Sequence, residues 1–137
     1  MTERHNNDNF PGYEKIKSIL NESPDLMCRK LEVGQEGIHI IFMKNLIKPE
    51  ILNEYVIKYI EQLSVEYLHY TYLMKNIPIE EIMVNIEEQE VISSLLNGFA
   101  YIYFLDEKKA FMVNCANPIE RSIEKAVERL HLSGQKN

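Results

Sequence analysis

The sequence predicts an α+β domain: a small mixed sheet made from two β-hairpins, with helices packed against it. Apolar strands at Leu26–Val33 and 38–43 are separated by a turn with two glycines, which is typical of a hairpin. A second pair of apolar strands, 99–105 and 110–115, is separated by a charged turn. Two hairpins most simply pair into one sheet, and the amphipathic helices of the chain would cover it.

Length and composition predict one folded unit. The chain has 137 residues, and 45% hydrophobic with 26% charged residues is ordinary for a globular domain, which excludes wholesale disorder. We expect residues 1–12 to form a disordered leader because they are polar and end in a Pro-Gly turn. Residues 13–132 would then be a single domain, and 133–137 a polar tail.

The helices follow from apolar residues at helical spacing. The first is predicted at 13–20. A turn at 21–25 follows, and Pro24 within it stops the helix. The clearest helix has Pro49 in its first turn and polar residues on one face. The apolar residues of its other face are Ile51, Leu52, Tyr55, Val56, Tyr59, Ile60 and Leu63.

The second half of the chain carries weaker helix signals. Residues 64–75 are rich in tyrosine and show no clean period, whereas residues 79–86 after Pro78 have helical spacing. A helix at 91–96 is predicted to end at Gly98 in a left-handed turn. A last helix is predicted at 119–132. The expected core residues are Leu52, Val56, Tyr59, Ile60, Leu95, Phe99, Ile102 and Phe104.

Charge and hydropathy exclude several classes of partner. The net charge is −6, and 15 basic residues are scattered among 21 acidic ones, so neither nucleic acid nor an anionic membrane surface is an expected partner. The longest apolar runs, such as 99–105, are far shorter than the roughly 20 residues of a membrane span. The polar beginning of the sequence lacks the apolar segment of a signal peptide. We therefore expect this chain to be soluble and cytoplasmic, with Cys28 and Cys115 reduced.

Motifs that carry chemistry are absent from the sequence. It contains no phosphate-binding glycine loop, zinc-protease helix, nucleophile elbow or EF-hand loop. Its four histidines are far apart, and none has a Cys or His at metal-ligand spacing. We therefore expect a chain that is not an enzyme and that has no cofactor and no metal. Acidic residues at 80–90 flank apolar positions and are expected to form a solvated face.

Tyrosines are the candidates for ligand binding, since each supplies a large ring and one polar tip. The set could line a pocket between sheet and helices, or its members could simply straddle core and surface. It consists of Tyr67, Tyr70, Tyr72, Tyr101 and Tyr103.

Two arginines are candidates for an interface. Arg29 lies in an otherwise apolar strand, and Arg121 opens the last helical stretch. A buried arginine needs a carboxylate or backbone partner, and Asp25 and Glu124 are nearby in sequence. These arginines either form surface ion pairs or connect the domain to a neighbouring protein.

Four short blocks resemble, in order and spacing, a family of bacterial proteins. The first is Ser-Pro-Asp-Leu at 23–26 with Arg29 behind it, and the second is the strand 38–43 with Asn45-Leu46 and the helix that follows. The third is Leu-Leu-Asn-Gly at 95–98, and the fourth is Arg-Ser-Ile-Glu at 121–124 with Glu128. Together they resemble the N-terminal cytosolic subdomain of the A subunits of spore germinant receptors, the GerA family.

The resemblance implies a non-enzymatic domain that takes part in nutrient-triggered germination through protein–protein contacts. Its partners would be other germinant receptor subunits or cytosolic proteins, and Arg29, Arg121, Glu124 and Glu128 are the interface candidates. In full-length members this region faces the cytosol at the inner spore membrane, and the receptors respond to amino acids, sugars or nucleosides. A nutrient-sensing module that binds a small molecule is the alternative.

The sequence departs from the family pattern in its length and around its last block, where residues 129–133 also replace the family's segment rich in Gly, Pro and Arg. Family members are several times longer, and they usually have proline where this chain has Lys125. Because Lys125 does not interrupt a helix, the helix at 119–132 can continue. A homodimer through its apolar face is a further possibility.

Overall fold

The computed structural model describes residues 10–34 and 36–116. In this part of the chain, four helices and five strands alternate with short turns. Helix α2 (49–61) is composite, and its middle part, Leu52–Ile57, is π-helical. A 3₁₀ turn at Val65–Tyr67 follows it. The other elements are α1 (Tyr13–Ile19), β1 (Leu26–Val33), β2 (Glu36–Met43), α3 (Tyr70–Asn76), β3 (Ile82–Met83), α4 (Glu88–Leu95), β4 (Phe99–Phe104) and β5 (Lys109–Asn114).

The strands form one sheet in the order β1-β2-β4-β5-β3. Both predicted hairpins are present, and they join through β2 and β4, where Ile38 lies opposite Phe104 and Ile41 opposite Tyr101. The predicted α+β class with two paired hairpins is therefore confirmed. Every strand pair in the described residues is antiparallel, whereas a mixed sheet was expected. The reason is that β4 begins at the end of the sheet where β2 stops, so the two run in opposite directions.

Helices cover both faces of this sheet. We call the face toward α2 and α3 the first face; its buried strand residues include Ile38, Ile40, Ile102, Phe104 and Phe111. The second face packs on α1 and α4, and its buried residues include Ile41, Met43, Tyr101, Met112 and, from the helices, Ile16 and Leu95. The alternation of strand side chains thus divides the apolar residues between two cores.

The π-helical segment changes which residues of α2 are buried. A π-helix has i→i+5 hydrogen bonds and therefore a wider turn than an α-helix. Ile57 is 4% exposed, whereas Tyr55, which regular spacing places on the apolar face, is 39% exposed. Seven of the eight predicted core residues are buried, and Tyr59 is only half-buried at the edge of the first core.

The predicted helix at 79–86 is wrong. Its centre forms β3, the short edge strand in which Ile82 pairs with Val113 and Met83 with Met112. The Asn114 backbone N–H donates to the Glu81 carbonyl at 3.0 Å, and its side-chain amide donates to Glu81 Oε1 at 2.7 Å. The edge of β5 offers backbone hydrogen bonds to residues 82–83, and the helical spacing of apolar residues at 79–86 gives no sign of this partner.

The end of the leader and the segment 70–76 also differ from the sequence expectation. The leader was expected to end at residue 12, but Phe10 packs on the second core and Pro11 is buried. The Tyr101 hydroxyl donates a hydrogen bond to the Pro11 carbonyl at 2.8 Å, which attaches this segment to β4. Residues 70–76, which show no clean period, form α3. The predicted helix at 119–132 and the tail at 133–137 lie outside the described residues.

Candidate functional site

Three of the candidate tyrosines lie near α3, on the first face of the sheet. The rings of Tyr67 and Tyr72 stack with centroids 4.7 Å apart, and Tyr72 neighbours Tyr59. The pKa of Tyr59 is raised mainly by burial and to a smaller extent by the neighbouring Tyr72. Tyr67 remains 42% exposed. We call Tyr59, Tyr67 and Tyr72 the tyrosine cluster; it presents one exposed ring supported by two others.

Tyr70 connects α3 to the hairpin of β4 and β5. Its ring meets those of Phe104 and Phe111 edge-on, at 6.0 and 5.9 Å between centroids. Its backbone N–H donates to Glu107 Oε2 at 2.9 Å, and the Lys109 ammonium lies 5.4 Å from the centre of its ring. These contacts hold Tyr70 in place from several sides and give it a structural role.

The remaining two tyrosines lie on the second face. Tyr101 is fully buried, and its ring stacks on half-buried Tyr103 with centroids 6.1 Å apart. Burial raises the pKa of Tyr101, so its phenol stays protonated and donates to Pro11. Because successive strand residues alternate between faces, these rings are separated from the tyrosine cluster by the sheet. The structure therefore does not bring the five tyrosines into one pocket.

Arg29 is the one charged interface candidate that lies in the described part of the chain. Arg29 is exposed on β1, an edge strand, opposite Ile40 of β2. Within the described ranges it forms no ion pair with Asp25. Arg121, Glu124 and Glu128 lie outside the described residues, so their role as an interface remains a prediction.

The acidic residues at 80–90 have specific local partners. Glu87 and Glu90 form a capping box at the start of α4, in which the Glu87 N–H donates to Glu90 Oε1 at 2.9 Å. The Glu88 carboxylate lies 3.5 Å from the Lys15 ammonium of α1. Four of the five carboxylate residues are exposed and Glu88 is half-buried, in agreement with the expected solvated face.

A groove with a volume of about 1090 Å³ separates α1 from α4. Its apolar lining includes Ile19 and Leu96, which are 38% and 49% exposed, together with Phe10 and Ile92. Lys15 and Glu88 lie at its polar rim. We call this feature the α1–α4 groove.

Sequence reasoning missed the α1–α4 groove because Phe10 had been assigned to the leader. An isolated aromatic residue just before Pro11 in a polar stretch is the signal that was available. The Glu87 and Glu90 pair is a second signal, since it marks a helix start earlier than residue 91.

Both cysteines are unpaired, Cys28 half-buried in β1 and Cys115 fully buried after β5. Burial raises the pKa of the Cys28 thiol to about 11, and of the Cys115 thiol to about 12. Within residues 10–34 and 36–116, no three His, Cys, Asp or Glu side chains come together in a way that could hold a metal ion. None of the helices in the same ranges is long and apolar enough to cross a membrane.

These pKa shifts predict slow thiol chemistry in the folded chain. The thiolate is the reactive species, so at pH 8 both cysteines should react with a thiol reagent far more slowly in the native chain than in denaturant, Cys115 more slowly than Cys28. Reaction of Cys28 at the denatured rate in a folded Cys115→Ser variant would contradict this difference in rate.

The same shifts predict how stability depends on pH. Because the folded pKa values of both thiols exceed the ordinary 9.0, the free energy of unfolding should fall as pH rises above 9.

Comparison with known proteins places this fold in a family. Residues 14–137 match the family described as Bacillus/Clostridium GerA spore germination protein. A curated relative, the spore germination protein GerQA of Bacillus cereus, is 25% identical over 122 residues, which are 88% of this chain and 24% of the relative. The chain thus spans about a quarter of the length of that relative.

A solved structure shares the fold. It is the crystal structure of the N-terminal domain of the A subunit of the Bacillus megaterium spore germinant receptor GerK3. The TM-score is 0.55 at 14% identity, over 73% of this chain and 86% of that one. At this identity the likeness shows the fold alone.

The chain belongs to the GerA family, because the family pattern covers almost all of it. The resemblance seen in the sequence is thus confirmed, although three of its four interface candidates and its last block lie beyond residue 116.

Proposed function

We propose that this chain serves a spore germinant receptor as a non-enzymatic domain of its A subunit, acting through contacts with other receptor subunits. The observation that carries the proposal is the match of residues 14–137 to the GerA family. The likeness of the fold to the N-terminal domain of a receptor A subunit supports the position of the domain within such a subunit.

The α1–α4 groove is the surface that we assign to this contact. Ile19 and Leu96 leave apolar area exposed in a concave site, a combination typical of helix-in-groove recognition. Glu87 and Glu88 line the groove, Lys15 is the one cation among its described lining residues, and Lys15 is already paired with Glu88. Charge complementarity therefore selects an apolar segment of another receptor subunit that carries a basic residue.

A test of the proposal compares two substitutions of the same kind in spores. Leu96→Asp places a carboxylate in the α1–α4 groove, whereas Val65→Asp places one at a 64% exposed position on the 3₁₀ turn outside it. We expect Leu96→Asp to slow germination induced by amino acids, sugars or nucleosides, at unchanged protein level. Val65→Asp should germinate normally. Normal germination of both variants would contradict the assignment to the groove.

The tyrosine cluster favours a second candidate function, the binding of a small nutrient molecule. Stacked rings with one exposed face suit a sugar or a purine. A thermal-shift screen of the chain with amino acids, sugars and nucleosides at millimolar concentration tests it. Stabilisation that is lost in Tyr67→Ala would support sensing, and no stabilisation by any nutrient would count against it.

A further inference from the structure

A second concave site, separate from the α1–α4 groove in its chemistry, lies on the second face of the sheet. It is a depression with a volume of about 430 Å³ between the start of α1, the strands β1, β2 and β4, and the turn after β4. Lys30, His39, Tyr103 and Lys108 line it, and we call it the basic depression. All the residues that line it lie in the described part of the chain.

The strand register brings three of these side chains into one row. Lys30 of β1 lies directly opposite His39 of β2, and His39 lies opposite Tyr103 of β4. Directly opposed residues on one face have Cβ atoms roughly 5 Å apart. An ammonium, an imidazole and a phenol are therefore neighbours on one surface, and each of them can donate a hydrogen bond.

Positive charge exceeds negative charge in the basic depression. Lys30 and Lys108 are exposed, and neither forms an ion pair within the described ranges. Lys15 also lines it but is paired with Glu88. The acidic residue in the lining is Glu14, whose side chain is 83% exposed and lies 3.5 Å from the Lys17 ammonium. Two cations without an ion pair among residues 10–34 and 36–116 thus lie in one depression, in a chain whose net charge is −6.

A bound anion would change the pKa of His39. Burial, and then the charge of Lys30, lower its pKa below the ordinary value of 6.5. Tyr13, Glu14 and Lys15 face it from the start of α1, Tyr103 from β4 and Lys108 from the turn after β4. A bound negative charge would offset the effect of Lys30 and raise the pKa of His39.

We propose that the basic depression binds a small oxyanion, the carboxylate or phosphate group of a small molecule, between Lys30 and Lys108, with His39 and Tyr103 as further hydrogen-bond donors. The two lysines supply charge, and the neutral donors fix the direction of the oxygen atoms. The volume suits a small molecule or a single acidic group. This inference goes beyond the proposed function and does not depend on it.

The test is an NMR titration of the 137-residue chain that follows the ring protons of His39. Inorganic phosphate is added in one arm and acetate in the other, with chloride at equal ionic strength as the control. We expect a saturable shift and a higher His39 pKa in at least one arm, and the arm that saturates identifies the oxyanion.

Variants show whether the lysines carry the binding. Lys30→Gln and Lys108→Gln should each weaken it about tenfold, the loss of one charge-assisted contact. Lys75→Gln removes the same charge from an exposed position on α3 and should leave the affinity unchanged. Shifts that do not saturate in either arm, that chloride reproduces, or that persist in folded Lys30→Gln and Lys108→Gln variants would overturn the proposal.

Discussion

Replacement of Gly98 by valine should destabilise the domain by about 3 kcal/mol or more. Gly98 has a φ of +86°, in the left-handed region, where a residue with a side chain is strained by about 1–2 kcal/mol and a β-branched residue by more. A Cβ at this position would also stand 2.6 Å from the Leu46 carbonyl oxygen and against Ala116. Forcing atoms into such a site typically costs about 1–3 kcal/mol.

Gly12→Val is the matched control for this prediction. Gly12 has a φ of −85°, and a Cβ there would meet no atom within 4 Å. Because Gly12 is the N-cap of α1, where valine is less favourable than glycine, we expect a loss of at most about 1 kcal/mol in the free energy of unfolding. Chemical denaturation of the three chains measures the difference. Equal losses of stability in the two variants would mean that neither the positive φ of Gly98 nor the close contacts of its added Cβ cause the destabilisation.

Replacement of Ile60 by alanine should cost about 2–5 kcal/mol, as expected when buried methyl groups are deleted and a cavity is left. Ile60 has no exposed surface and packs in the core between α2 and the first face of the sheet. Tyr55→Ala on the same helix is the control, because Tyr55 is 39% exposed and should lose far less.

The comparison between Ile60 and Tyr55 tests the π-helical register of α2 as well as its burial. In a regular α-helix with the apolar face predicted from the sequence, both residues would pack on the sheet, and both alanine variants would lose stability. A loss below half a kcal/mol for Ile60→Ala would show that α2 presents a different face to the core.

The strands and their pairing could be predicted from the sequence because local signals determine them. Apolar runs with glycine or charged turns between them define the four long strands, and Gly98 marks a left-handed turn that glycine adopts without strain. Antiparallel hairpins need contacts only between segments that are close in sequence, so the pattern within each segment carries most of the information.

The remaining parts depend on contacts between distant segments. β3 pairs with the edge of β5 through backbone hydrogen bonds, and the Pro11 carbonyl accepts a hydrogen bond from the hydroxyl of Tyr101, 90 residues away. No short window of the sequence contains both partners of such contacts.

The candidate sites were predicted less well than the fold. Residue type alone groups the five tyrosines, whereas the alternation of β4 places Tyr101 and Tyr103 on the face of the sheet opposite α3. The α1–α4 groove is made by two helices about 75 positions apart in the sequence, and the basic depression by the register of three strands. Both required the tertiary structure.

We propose that this GerA-family domain contacts another receptor subunit through the α1–α4 groove. Site-specific photo-cross-linking in spores tests it most directly, with the cross-linking residue at position 96 and, as the control, at position 65 on the other side of the sheet. We expect position 96 to cross-link to a subunit of the same germinant receptor, identified by mass spectrometry, and position 65 not to. Equal cross-linking from both positions, or none to any receptor subunit from position 96, would contradict the claim.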